Sequence, residues 1–198
     1  MFMAVKEEAR ELTLRQREGR AINAVAELLR RTLSVPNIYL EPPVSLIAAD
    51  VLAVDRGGAG DLHAVEIELA PTLSPTKGHR RKATGPSNLN ARSTGYVEYR
   101  EIIGSIHSRL MSMPAHYRYL AIPKDSYDVA FNTLVQHGLF QADGIGRLGV
   151  IVITEKGEGS PTAEMDMPPE RFRVDPTRLK AIETKLLAKS RPDIEVRI

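Results

Sequence analysis

Asp50-Val51-Leu52-Ala53-Val54-Asp55, then Arg56-Gly57-Gly58-Ala59-Gly60-Asp61, then Leu62-His63-Ala64-Val65-Glu66-Ile67-Glu68-Leu69-Ala70 is the stretch on which the fold turns. Two runs of strand-forming residues around a glycine-rich turn read as an antiparallel hairpin. In the second run side chains alternate, so His63, Val65, Ile67 and Leu69 share one face and Ala64, Glu66, Glu68 and Ala70 the other. Two carboxylates thus leave an otherwise apolar strand in the same direction. Asp50 heads the preceding strand and is expected within reach of the same end of the sheet.

Upstream, Ile22, Val25, Ala26, Leu29 and Leu33 recur at helical spacing until Pro36, predicting a first helix that begins well before Arg17. Short extended runs follow at 37–40 and 44–48, separated by Pro42-Pro43. Downstream, Tyr99, Ile102, Ile103, Ile106 and Leu110 mark a second amphipathic helix, which Pro114 stops. A strand is expected over 116–122, and a third helix capped by Asp125 or Ser126 runs to Gly138. The apolar run 148–153 reads as a strand buried on both faces. After a loose stretch at 155–169, Asp175-Pro176 opens a last helix carrying Leu179, Ile182, Leu186 and Leu187.

A strand, crossover helix and strand imply parallel pairing on one side of the sheet, and the hairpin makes the other side antiparallel. The sequence therefore predicts an α/β fold, a mixed central sheet flanked by helices in the order α-β-β-β-α-β-α-β plus a C-terminal helix. Residues 1–154 form the domain, and 155–198 are an extension whose helix packs on the same domain or on a partner subunit, as in a homodimer.

Composition narrows the function classes. With 42% hydrophobic and 26% charged residues the chain matches a globular protein rather than a disordered or membrane one. No apolar run approaches the roughly 20 residues that cross a bilayer, and the first twenty residues are densely charged, so neither secretion nor membrane insertion is expected and the cytoplasm is the expected location. Without cysteine, disulfides and thiolate metal sites are excluded. The net charge of +2 announces no partner, but its distribution does. Over 71–95 lie Lys77, His79, Arg80, Arg81, Lys82 and Arg92 without a single acid, among three prolines and three glycines. This reads as a long basic loop, either functional or a solvated insertion.

Several other motifs carry less. Gly144-x-Gly146-x-x-Gly149 has the letters of a dinucleotide fingerprint, but a helix precedes it and a strand follows, so it reads as a turn into the sheet. The five histidines lack ligand spacing, and no serine sits in a nucleophile elbow. Tyr96 and Tyr99 could stack on bases or pack against the sheet.

Asp50, Glu66 and Glu68 remain the most specific constellation. Crowded carboxylates repel unless a hard divalent cation gathers them, and oxygen ligands suit Mg²⁺ or Mn²⁺. The alternative, that Glu66 and Glu68 merely occupy a solvated face, stays open on periodicity alone.

Together with the element order, Ala49-Asp50-Val51-Leu52-Ala53-Val54 and Ala64-Val65-Glu66-Ile67-Glu68-Leu69 make residues 19–154 resemble the PD-(D/E)xK, restriction endonuclease-like, nuclease superfamily. Its core is a helix, three strands, a helix and a strand, with an Asp heading the second strand and Glu-x-Lys on the third. Asp50 and Glu66 match the first two positions; Ala49 replaces the Pro, and Glu68 stands where the family has Lys. The resemblance implies a metal held by Asp50 and Glu66 that activates water for phosphodiester hydrolysis. At the Lys position, Glu68 implies either a third catalytic, metal-binding or proton-accepting carboxylate, or a member without catalysis. Lys77, Lys82 or the accessory Arg100 could then supply the missing positive charge, and Glu18 or Glu27 the acid that the family often carries on its first helix.

Three functional expectations follow. The first is a Mg²⁺-dependent nuclease acting on DNA ahead of RNA, with Lys77, Arg80, Arg81 and Lys82 gripping phosphates. The second is a catalytically inactive nuclease-like fold used for nucleic-acid or protein binding. The third is a protein-interaction domain whose terminal helix makes the interface.

Overall fold

A computed structural model of the chain describes residues 2–34, 36–42, 49–56, 60–69, 88–138, 146–155 and 160–189, with side chains from 15 in the first helix, from 98 in the second and up to 186 in the last. The hairpin is formed by β2 (Val51–Asp55) and β3 (Asp61–Ile67), antiparallel with Val51 opposite Val65 and Leu52 opposite Ala64. β1 (Pro36–Leu40) adds to β2 antiparallel. β4 (Tyr117–Pro123) lies parallel to β3, β5 (Gly149–Thr154) parallel to β4, and β6 (Thr162–Met167) antiparallel to β5, giving one six-stranded mixed sheet in sequential order. The expected α/β class with a mixed sheet holds.

Strand alternation divides the core in two. One face sets Ile38, Val51, Ala53, Val65, Ala121 and Ile151 against Ile22, Val25, Ala26 and Leu29 of α1 (Phe2–Thr32). The other sets Leu52, Leu62, Ala64, Leu120 and Val150 against Tyr99, Ile103, Ile106 and Leu110 of α2 (Asn88–Ser112) and Ala130 and Leu134 of α3 (Tyr127–Gln136). Ile182 and Leu186 of α4 (Pro176–Lys189) and the buried Phe172 join this second core. The terminal helix thus sets Ile182 and Leu186 against the chain's own core.

Several expectations are corrected. The stretch 155–169 is not loose throughout, because it contains β6. There Ala163 is buried while Glu164 and Asp166 stay exposed, an edge-strand pattern with no β-branched residue to announce it after Thr162. The basic loop is shorter than 71–95, since α2 already begins at Asn88 and absorbs Arg92 and Gly95. Neither Asp125 nor Ser126 caps α3 with its side chain; a 3-10 turn over Lys124–Ser126 feeds the helix instead. The run 44–48 and most of the basic loop, with Lys77, Arg80, Arg81 and Lys82, lie outside the described residues.

Two sequence signals act as expected. The Asp175 carboxylate accepts the Thr177 N–H at 2.8 Å and starts α4. Gly146, at φ +112°, turns the chain into β5, and a Cβ there would lie 2.7 Å from the Phe172 ring. Phe172 also lies under the Arg118 guanidinium, 3.9 Å from the ring centroid, while Arg118 donates to the carbonyls of Met111 and Ala115. These contacts tie the C-terminal end of α2 to the start of β4.

On the α1 face His63 is buried, sharing a 2.8 Å hydrogen bond with the Tyr119 hydroxyl and stacking on Tyr117. Burial pushes its imidazole down to about 4, against the pull of Asp55 and Asp61. The unfolded imidazole takes its proton near pH 6.5 and the folded one only near 4, so stability is lost as pH falls through this window and levels off below it. The expected loss from this residue is about 3 kcal/mol. Urea unfolding at pH 7 and pH 4 checks it, with His63→Gln expected to lose correspondingly less than wild type between the two.

Candidate functional site

The antiparallel register that sets Val51 opposite Val65, carried one residue further, sets Asp50 beside Glu66. The Asp50 N–H donates to the Val65 carbonyl at 3.0 Å, and Asp50 Oδ2 accepts the Ile67 N–H at 2.6 Å. These bonds fix the aspartate at the mouth of the hairpin. Leu52 and Ala64 belong to the α2-facing core, so alternation places Asp50, Glu66 and Glu68 on that same face. The Glu68 N–H donates to the Ala121 carbonyl at 2.9 Å, extending the β3–β4 pairing past the end of β3.

Glu66 is only 7% exposed, which rules out the solvated-face reading for this residue. Its Oε1 accepts from Arg109 Nη2 of α2, whose side chain is half exposed. Its Oε2 is buried and has no hydrogen-bond partner among the described residues. A lone pair left so carries a desolvation cost of about 1–3 kcal/mol unless something binds to it.

The neighbouring carboxyls are also held out of their ordinary range. Burial pushes Glu68 up to about 7, with the charges of Asp50 and Glu18 adding to the shift. Burial raises Asp50 as well; the Ile67 N–H partly offsets this, and Glu18 and Glu41 add to it. On α2, burial pushes the Tyr99 phenol up to about 12, and the charge of Glu68 contributes. Negative charge is therefore concentrated at one end of the sheet, where protonation or a bound cation relieves it.

Of the residues expected here, Asp50, Glu66 and Glu68 do share one face and one end of the sheet. They do not stand as a formed metal-binding group: among the described residues no three His, Asp or Glu side chains are so gathered. Two of the carboxylates are turned toward protein donors, Glu66 to Arg109 and Asp50 to the Ile67 amide. Glu18 of α1 acts on both Asp50 and Glu68, whereas Glu27 pairs with Arg30 at 2.5 Å. Arg100 is exposed on α2, with no ion pair among the described residues.

The positive charge beside the acids is instead Arg109, which sequence reasoning did not single out. A signal existed, since Arg109 follows Ile106 by three residues and precedes Met113 by four, on the flank of the buried stripe of α2. Tyr99 is buried against the sheet rather than presented for stacking on bases.

Compared with family models, curated proteins and solved structures, the chain matches none.

Proposed function

We propose that this chain is a divalent-metal-dependent nuclease-like protein of the restriction endonuclease-like type, acting on DNA ahead of RNA. The observation that carries the reading is the buried, unpartnered Oε2 of Glu66, on the same face as two carboxylates whose charge is disfavoured without a counter-ion. The order helix, three strands, helix, strand supports it, with the antiparallel hairpin beside a parallel crossover.

The donor set fits a hard cation, because Asp50, Glu66 and Glu68 offer only carboxylate oxygens. Mg²⁺ or Mn²⁺ held by these three residues supplies Lewis acidity and a water of lowered pKa. The chain contributes the rest. Glu68, whose carboxyl burial pushes up to about 7 in the metal-free chain, would either complete the ligand set or, left uncoordinated, accept a proton from an attacking water. Arg109 limits the charge on Glu66 and keeps a half-exposed guanidinium at the site, in the role otherwise left empty by the missing Lys. Lys77, Arg80, Arg81 and Lys82 supply charge for phosphate contacts.

One observation favours a second reading, a nuclease-like binding module without hydrolysis: Arg109 already occupies Oε1 of Glu66. Cleavage of supercoiled DNA, linear DNA and RNA in Mg²⁺ and in Mn²⁺ separates the two. Wild type is expected to cut and Glu68→Gln to lose cleavage while staying folded. If wild type binds metal but never cuts, and Glu68→Lys gains cleavage, the binding module is the better account.

In both readings nucleic-acid affinity falls steeply with salt, because Lys and Arg release counter-ions from phosphates. Replacing Arg80 and Arg81 by Ala is expected to reduce the slope of log K against log salt by about 2. Fluorescence anisotropy across a salt series reads this directly, and an unchanged slope assigns the contacts elsewhere.

A further inference from the structure

Tyr99 is 4% exposed, and its hydroxyl is buried without a hydrogen-bond partner of normal geometry; Ser126 and Glu68 are its polar neighbours. The phenol, whose approach to Ser126 falls short of a well-formed hydrogen bond, and Glu66 Oε2 are thus two incompletely satisfied polar atoms in the layer between α2 and the sheet.

They lie at matching heights. The Met111 carbonyl accepts from Arg118 of β4, and the His116 N–H donates to the Leu62 carbonyl, so α2 ends where β3 and β4 begin. From Ser112 back to Tyr99 the helix rises about 20 Å. From Leu62 on to Glu68 the strand covers about 20 Å. Tyr99 is therefore level with Glu68, and Arg109, nearer the helix end, serves Glu66. An unsatisfied buried phenol costs stability, and a phenylalanine would fill the same core space without that cost. The hydroxyl makes physical sense if a ligand oxygen completes it.

We infer that Tyr99 is a positioning residue of the site, its hydroxyl donating a hydrogen bond to an oxygen bound between α2 and the carboxylates: a metal-bound water or a non-bridging phosphate oxygen. The inference rests on the metal-site reading given above. Removing the hydroxyl alone, by Tyr99→Phe in the full chain, tests it.

The variant is expected to melt close to wild type, because at most a poorly formed contact with Ser126 is lost. If the hydroxyl holds a metal-bound water, Mn²⁺ affinity without nucleic acid drops by about 10-fold. If it holds phosphate, Mn²⁺ affinity is unchanged, and binding of a short DNA duplex in Ca²⁺ weakens by a similar factor. Wild-type affinities for both ligands, or a clear fall in melting temperature, overturn the inference and leave Tyr99 as a core residue. Should wild type bind no Mn²⁺ at all, the metal-site reading fails and this inference with it. Normal wild-type binding with an indifferent Tyr99→Phe removes the inference alone.

Discussion

Glu66→Gln is expected to abolish metal-dependent phosphodiester cleavage, by about 1,000-fold or more, while the protein stays folded. The amide oxygen of Gln can still accept from Arg109 as Oε1 does, so packing between β3 and α2 is retained. What changes is the other atom. The buried Oε2, now without a partner, would become an amide nitrogen that donates hydrogen bonds and cannot ligate a hard cation. Loss of a metal ligand removes several kcal/mol of transition-state stabilisation, and about 4 kcal/mol already corresponds to a factor near 1,000. Asp50→Asn is expected to act alike, because an amide oxygen can keep the Ile67 N–H while the charge is lost. Single-turnover nicking of plasmid in Mn²⁺ reads the effect, and nicking by Glu66→Gln at the wild-type rate contradicts it.

Replacing Arg109 by Met is expected to destabilise the metal-free protein by about 2–4 kcal/mol, below the upper range for breaking a buried pair because half of the arginine side chain is in water. Glu66 would then stand buried with neither carboxylate oxygen paired. Two controls separate this from lost packing. Adding Glu66→Leu to Arg109→Met removes the stranded carboxylate and should recover most of the stability. Mn²⁺ at 100 times its dissociation constant should return about 2.7 kcal/mol, since only the folded chain offers the site. Urea unfolding of the two variants with and without Mn²⁺ measures all of this, and an Arg109→Met protein as stable as wild type would show that the ion pair has little energetic role.

The hairpin was legible because its two sides differ in chemistry. His63, Val65 and Ile67 alternate with Ala64, Glu66 and Glu68, and a one-residue slip would have moved the whole set to the wrong face. The same logic puts Glu66 and Glu68 on one face, with Asp50 at the same end of the sheet. β6 was not legible, because Thr162–Met167 is defined by backbone pairing to β5 at a sheet edge and only Ala163 is buried. Nor was Arg109: helical spacing puts it beside the apolar stripe, but its choice of Glu66 over water depends on how α2 lies across β3, a tertiary fact. The start of α2 at Asn88 was obscured by Gly95, which a helix tolerates at a cost of about 1 kcal/mol. The proposed metal binding rests on the charge and burial of the acids, while the choice of nucleic acid depends on the basic segment, where the sequence offers charge without geometry.

Isothermal titration of the metal-free chain with Mn²⁺ at pH 8, where Glu68 is ionised, tests the central claim most directly. The account predicts saturable binding of one ion per chain, carried by Asp50, Glu66 and Glu68, and its loss in Glu66→Gln. Binding of equal strength in wild type and Glu66→Gln, or none in either, would contradict it.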